Sequence, residues 1–295
     1  MVCIGEYYLY RLYIINAAVS SLSLLGSMFI ITVYLSFKEL RVFAFKLVSI
    51  LSCLDAIHAL AFLIPSYDEN NSHSPLCQLQ SVALTFCTLA NVLWTAMIAL
   101  ALYLAVIHEK RLGEHYKWYA LIFAVLVPLC ISWLPYITDS FGTAQGWCWI
   151  DDSKKWGTIW RYSLFYGPLW IVIPFNIIVY FKVIKKIQLE IGNVSEQQQM
   201  RKQLMRRLVM YPIILVICFT PVTISRVWEI FVDCPPREMS VISGFFTCIN
   251  GLLNALVYGM TKSVRESLKS WIFRERGENT EVMMESIKDS VEEYF

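Results

Sequence analysis

The chain has 295 residues and a net charge of +2, with 57% of its residues hydrophobic and only 16% charged. A soluble domain carries roughly 25% charged residues, so a large part of this molecule's surface does not face water, and the near-neutral balance gives nucleic acid no footing. The apolar residues run in largely unbroken blocks of about 20, the length that crosses a hydrocarbon core of roughly 30 Å, whereas a soluble helix would interrupt such a run with a polar face.

Seven blocks qualify, at Leu12–Leu35, Val42–Ile64, Leu79–Ile107, Trp118–Ile137, Ile159–Val183, Leu208–Val232 and Met239–Met260. The composition of these blocks predicts an all-α membrane protein. The first follows a short polar start (residues 1–11) and is too long for the core of a cleaved leader, so it is expected to stay as an anchor. Spans one, three, four and seven lack Asp, Glu, Lys, Arg and His; the second holds Lys46, Asp55 and His58, the fifth Arg161 and Lys182 at its edges, and the sixth Arg226 and Glu229.

The connecting segments alternate in charge. One set carries Lys38 and Arg41, then Lys110, Arg111 and Lys117, then Lys185, Lys186, Arg206 and Arg207, then Lys262, Arg265 and Lys269; the other carries little beyond Arg11, Lys154, Lys155 and Arg237. Lys and Arg concentrate on the cytoplasmic side, so the first set is expected inside, with the N-terminus outside and the protein in the plasma membrane. The stretch 263–275 places Val264, Leu268, Trp271, Ile272 and Phe273 among basic residues, the pattern of a helix lying on the inner membrane surface. Residues 276–295 read as an acidic cytoplasmic tail, and 12–262 as the transmembrane domain.

On this topology Cys3, Cys77, Cys148 and Cys234 face the compartment that permits disulfides. Their connectivity stays open in the sequence. A Cys77–Cys148 bridge would pin the loop before the fifth span over the bundle, and Cys3–Cys234 would be a second. Asn70-Asn71-Ser72 makes Asn70 a glycosylation acceptor on an outer loop. The outer segments are short, so an extracellular ligand has to be a small molecule bound between helices or against the Cys148 loop.

Ionisable groups inside a span are costly and mark function. Asp55, with Asn250 and Asn254 at i,i+4 and Tyr258 beyond them, is read as a buried network holding a sodium ion or proton and rearranging on activation; plain interhelical hydrogen bonding, about 0.6 kcal/mol per pair, is the competing reading. Asn91 and Trp94 of the third span, Trp149, Arg161, Arg226 and Glu229 are the candidate ligand-binding residues, with arginine suited to phosphate or carboxylate. Pairing of Arg226 with Glu229 at i,i+3 is the equal alternative for those two. Pro212 and Pro221 remove backbone bonds from the sixth span, which makes it the candidate moving part, and Lys110, Arg111, Lys185, Lys186, Arg206 and Arg207 the candidate partner-facing residues. The inner basic residues also suit anionic membrane lipid. No cofactor or metal site is expected.

The segment from Phe37-Lys38-Glu39-Leu40-Arg41 to Asp55, Leu93-Trp94-Thr95, Gly146-Trp147-Cys148-Trp149-Ile150, Phe165-Tyr166-Gly167-Pro168, Arg226, Tyr258-Gly259 and Ser263-Val264-Arg265 together resemble the cyclic-AMP-receptor-like group of G protein-coupled receptors, found in slime moulds, plants and other eukaryotes. The resemblance implies a seven-transmembrane helix bundle of the receptor type, the Cys77–Cys148 disulfide, and signalling to a heterotrimeric G protein. It makes cyclic AMP, the ligand of the slime-mould branch, a candidate here. Three departures stand out. Asn254-Ala255-Leu256-Val257-Tyr258 has alanine where receptors of this type carry proline, Cys218-Phe219-Thr220-Pro221 has phenylalanine for tryptophan, and the third span ends in Ile107-His108-Glu109-Lys110 without Asp-Arg-Tyr.

Other classes fit less well. A retinal pump needs a lysine in the seventh span, and none lies between Met239 and Met260. The alternative reading is a membrane transporter of a small anionic solute, against which stands the lack of internal repeats. An enzyme is not expected: of four histidines only His58 is within a span.

Overall fold

The structure is a computed structural model that describes residues 6–65, 74–110, 112, 114–143, 146–151, 153–189, 210–231, 236–259 and 261–273. Cys3, Cys234, Asn70, Arg111, Arg206 and Arg207 lie outside the described residues, as do the side chains of Arg226 and Glu229.

Helix α1 spans Glu6–Ser36, α2 Phe43–Phe62 and α3 Pro75–Val106. Helix α4 is built of Glu114–Leu121, a π-helical turn at Ile122–Leu126, then Val127–Ile131 and a last turn at Leu134–Ile137. A hairpin of β1 (Phe141–Thr143) and β2 (Cys148–Ile150) follows. Helix α5 comprises Gly157–Arg161, a second π turn at Tyr162–Tyr166, and Gly167–Leu189. Then come α6 (Met210–Phe231), α7 (Arg237–Gly259) and α8 (Lys262–Phe273). Six stretches are long and apolar enough to cross a membrane: Tyr8–Ser36, Phe43–Phe62, Pro75–Val106, His115–Ile137, Gly157–Leu189 and Glu238–Gly259. In α6 the apolar stretch among the described residues is shorter, Ile213–Ser225. In hydrocarbon every backbone polar group has to be satisfied within its own segment, which is why these apolar runs become helices.

Two helices run well beyond their apolar blocks: α1 starts six residues before Leu12, and α5 ends at Leu189, six after Val183. Hydropathy reports the lipid-facing length, while the hydrogen-bonded helix continues into polar surroundings. Both π turns sit just ahead of a proline. Val127 donates to Ile122 O and Gly167 to Tyr162 O, and Pro128 and Pro168, which bring no N–H, follow directly. At Gly167 a Cβ would stand 2.7 Å from the Tyr162 carbonyl oxygen, so a larger residue would shift this turn, whereas the turn at Ile122–Leu126 closes on Val127.

Helices α1, α2 and α7 pack together, α6 packs on α7, and α3 runs through the centre against α2, α5 and β2. The α1–α7 contact is made by small residues. Asn16, Ser20, Ser23 and Ser27, all on one helical face, are at most 2% exposed. A Cβ on Gly251 would fall 2.5 Å from Ser23 Oγ, and one on Gly26 2.9 Å from the Cβ of Ala255. Close backbone approach of this kind is how helices bind one another where lipid removes the hydrophobic driving force. α7 is continuous through Ala255, the position at which a proline would lack its N–H.

Candidate functional site

The end of the bundle that carries the hairpin is tied down at several points. Ser74 caps α3, its Oγ accepting from Cys77 N at 3.2 Å, with Pro75 in the first turn. Cys77, now fixed at the start of α3, is disulfide-bonded to Cys148 at the start of β2, with Cα atoms 5.2 Å apart. β1 and β2 pair antiparallel, Gly142 opposite Trp149. Gln80, one turn along α3 and 1% exposed, has its Nε2 donating to Ala61 O (2.9 Å) and Ile64 O (3.3 Å), while its Oε1 accepts from Cys148 N (2.7 Å). One amide thus joins the end of α2, α3 and the hairpin. Arg161 donates from Nε to Ile150 O at 2.7 Å, and its guanidinium lies 5.4 Å from the Trp149 ring. Gly146, at φ +100°, turns the chain into β2 where a Cβ would press to 2.8 Å from Leu12 of α1.

Beneath this roof lies a cavity of about 360 Å³, mouth included, between α2, α3, α5, α6 and α7. Its walls are aromatic. Phe62 stands edge-on to Trp147 at 5.8 Å, Trp149 edge-on to Phe165 at 5.5 Å, and Phe165 is tilted against Phe219 at 5.6 Å. Such edge-to-face pairs add about 0.5–1.5 kcal/mol each to the burial of their rings, so the walls are self-supporting. Three lining residues are polar: His58, Thr88 and Thr247. The described lining holds no lysine, arginine or carboxylate.

Deeper in the bundle, Asp55 gathers the two seventh-span amides placed with it and also Asn91, which was expected at a ligand. Its Oδ1 accepts from Asn91 Nδ2 (3.2 Å) and Asn250 Nδ2 (3.0 Å), and its Oδ2 from Asn254 Nδ2 (2.7 Å). Asp55, Asn91 and Asn254 are each 2% exposed and Asn250 6%. A carboxylate buried this far is tolerable because three charge-assisted donors surround it. The Oδ1 atoms of Asn91 and Asn254 are buried with no hydrogen-bond partner in the protein, as is the hydroxyl of Tyr258, whose ring lies edge-on to Phe45 at 5.2 Å.

The structure thus separates the candidate ligand residues. Trp149 lines the cavity. Asn91 belongs to the Asp55 cluster, and Trp94, fully buried, donates from Nε1 to Leu47 O at 2.9 Å. Arg161 holds the hairpin, and Lys154 pairs with Asp139 at 3.2 Å on the surface. Arg226 and Glu229 lie on α6 one and two turns beyond Val222, a lining residue. Pro221 is inside α6, next to Thr220, whose Oγ1 donates to Val216 O at 2.6 Å. At the opposite end, Lys186 reaches Glu109 at 3.3 Å, Lys110 and Lys185 are exposed, and Arg41 closes α1 by donating to Leu35 O at 2.6 Å. In α8, Val264 is buried and Trp271 71% exposed, an amphipathic arrangement. Sequence reasoning missed Gln80 and gave His58 no role; a lone amide and a lone imidazole in apolar blocks carry no spacing signal.

The fold is shared with squid rhodopsin, which superimposes with a TM-score of 0.71 over 97% of this chain and 92% of its own, at 13% identity. A family model described as the slime mold cyclic AMP receptor matches residues 6–265, and the chain belongs to that family of multi-pass membrane receptors. Among its relatives, "G-protein coupled receptor 1" of Arabidopsis thaliana is 30% identical over 86% of this chain and 79% of its own length. "Cyclic AMP receptor-like protein A" of Dictyostelium discoideum is 26% identical over 86% of this chain and 67% of its own.

Proposed function

We propose that the chain is a G protein-coupled receptor that passes the binding of a small extracellular molecule to a heterotrimeric G protein. The observation that carries this reading is Phe219. It forms part of the cavity wall and lies two residues before Pro221 on the same helix. A molecule in the cavity therefore touches the helix that a proline has freed from one backbone bond. A ligand that fits one position of α6 better than another shifts the population toward it.

On this reading the hairpin end and the N-terminus face outward from the plasma membrane, and Asn70 is glycosylated. Asp55, Asn91, Asn250, Asn254 and Tyr258 form the network that rearranges when α6 moves. Lys110, Arg111, Lys185, Lys186, Arg206 and Arg207 meet the G protein, with residues 263–275 on the inner lipid surface and 276–295 as the tail. The names of the Dictyostelium relatives make cyclic AMP a ligand to test. The described lining offers its phosphate no cation; Arg226, one turn beyond Val222, is the nearest position on α6 that would.

The test is nucleotide exchange. Purified receptor in lipid nanodiscs should accelerate GTP-analogue uptake by a heterotrimeric G protein above the G protein's own rate, and Phe219→Ala should change that acceleration by several-fold. No acceleration by any G protein class, with or without cyclic AMP, would sink the reading.

A further inference from the structure

The threonine hydroxyls of the cavity and the polar side chains just above it are committed to the protein. Thr88 donates to Leu84 O and Thr247 to Ser243 O at 2.7 Å. Gln80 and Arg161, just above, are bound to backbone carbonyls. His58 differs. It lines the cavity, is 5% exposed, stands edge-on to Phe62 at 5.1 Å, and its Nε2 has no hydrogen-bond partner. Buried polar atoms are nearly always paired, and one that is not calls for an explanation. Packing alone would be served better here by an apolar ring, since an imidazole without a partner gives up hydration and gains no bond.

We propose that His58 is the residue by which this cavity recognises its ligand, and that the ligand is a neutral aromatic molecule bearing a hydrogen-bonding group. The inference deepens the receptor reading and rests on it for the cavity's purpose. Four facing rings, Phe62, Trp147, Trp149 and Phe165, offer apolar surface and edge-on contacts to a flat guest. An anion would have to leave water for a described lining with no lysine or arginine, at a desolvation cost that nothing there offsets. A single imidazole in an apolar wall instead discriminates strongly for a guest that can complete its hydrogen bond, because an analogue without the polar group leaves it unpaired.

The experiment uses the full chain in lipid nanodiscs, with protein-free nanodiscs subtracted, and compares 2-naphthol, naphthalene and cyclic AMP by thermal shift and tryptophan fluorescence. The expected result is that 2-naphthol binds about tenfold more tightly than naphthalene, the effect of one hydrogen bond. That ratio should fall to near one in His58→Leu and be largely kept in His58→Gln, whose amide restores a donor and acceptor. Leu84→Trp, which fills the cavity, should abolish binding of both. Cyclic AMP should give no saturable signal. The proposal is overturned if neither naphthyl compound binds, if both bind wild type equally, if His58→Leu keeps the preference, if Leu84→Trp leaves binding intact, or if cyclic AMP binds independently of His58. No G protein enters the assay, so failure of coupling and failure of this inference are read separately.

Discussion

Gln80 and Asp55 show two ways in which a single polar side chain organises an apolar bundle. Gln80→Glu keeps the shape and the acceptor for Cys148 N but removes both donations to α2. Its melting temperature should drop by the equivalent of about 2 kcal/mol, the cost of orphaned buried carbonyls; a melting curve no different from wild type would mean those bonds carry nothing. For Asp55, a double-mutant cycle with Asn254 should return a coupling of about 0.6–1.7 kcal/mol, the range seen for interhelical hydrogen bonds, from thermal or denaturant unfolding. A coupling near zero would detach Asn254 from the cluster. Asp55, Asn250 and Asn254 were legible in the sequence because a charge in a span demands a reason and i,i+4 amides share a face, whereas Asn91 was assigned to a ligand. Gln80 was not legible. Its importance comes from two carbonyls at the end of α2 and one N–H in the hairpin, partners 16 or more residues away. Trp94 illustrates the reverse error: an indole in mid-span looked available to a ligand, and its N–H is instead held by Leu47 O.

At the scale of elements, six of the seven spans and their order were readable from block length, as the described residues show, but the internal irregularities were not. A π turn adds one residue to a helix without changing its apolar composition, so the turns at Ile122–Leu126 and Tyr162–Tyr166 leave no trace in hydropathy. The prolines just after them were the available signal. In α6 the proline falls beside the cavity. Pro221→Ala restores an N–H and should stiffen the helix, lowering ligand-independent nucleotide exchange by several-fold in the same nanodisc assay; unchanged exchange would show that α6 does not hinge there. The hairpin is held covalently as well as by hydrogen bonds. Cys148→Ser should cost about 2–4 kcal/mol of stability. Cys77→Ser/Cys148→Ser together should cost no more than either alone, because both remove one bond. Thermal melting of the three variants decides this.

Across the whole molecule, charge and packing divide the ends. One end is covered by a folded hairpin, and the other presents Lys110, Lys185 and the amphipathic α8. By the bias of Lys and Arg toward the cytoplasm, an epitope added after Phe295 should be reached by antibody in intact cells only after permeabilisation, whereas one before Met1 should be reached directly. The reverse pattern would invert the orientation. The roof also has a consequence for time. β2 is fastened by a disulfide, by Gln80 and by Arg161, and it places Trp149 over the cavity. Affinity depends on the walls, but entry and exit depend on how often the roof yields. Agents that loosen it, such as a mild reductant acting on Cys77–Cys148, should speed association and dissociation together while leaving their ratio nearly unchanged. With the roof intact, occupancy would persist after free ligand is washed away, and the receptor would report the recent past of its surroundings rather than the instant.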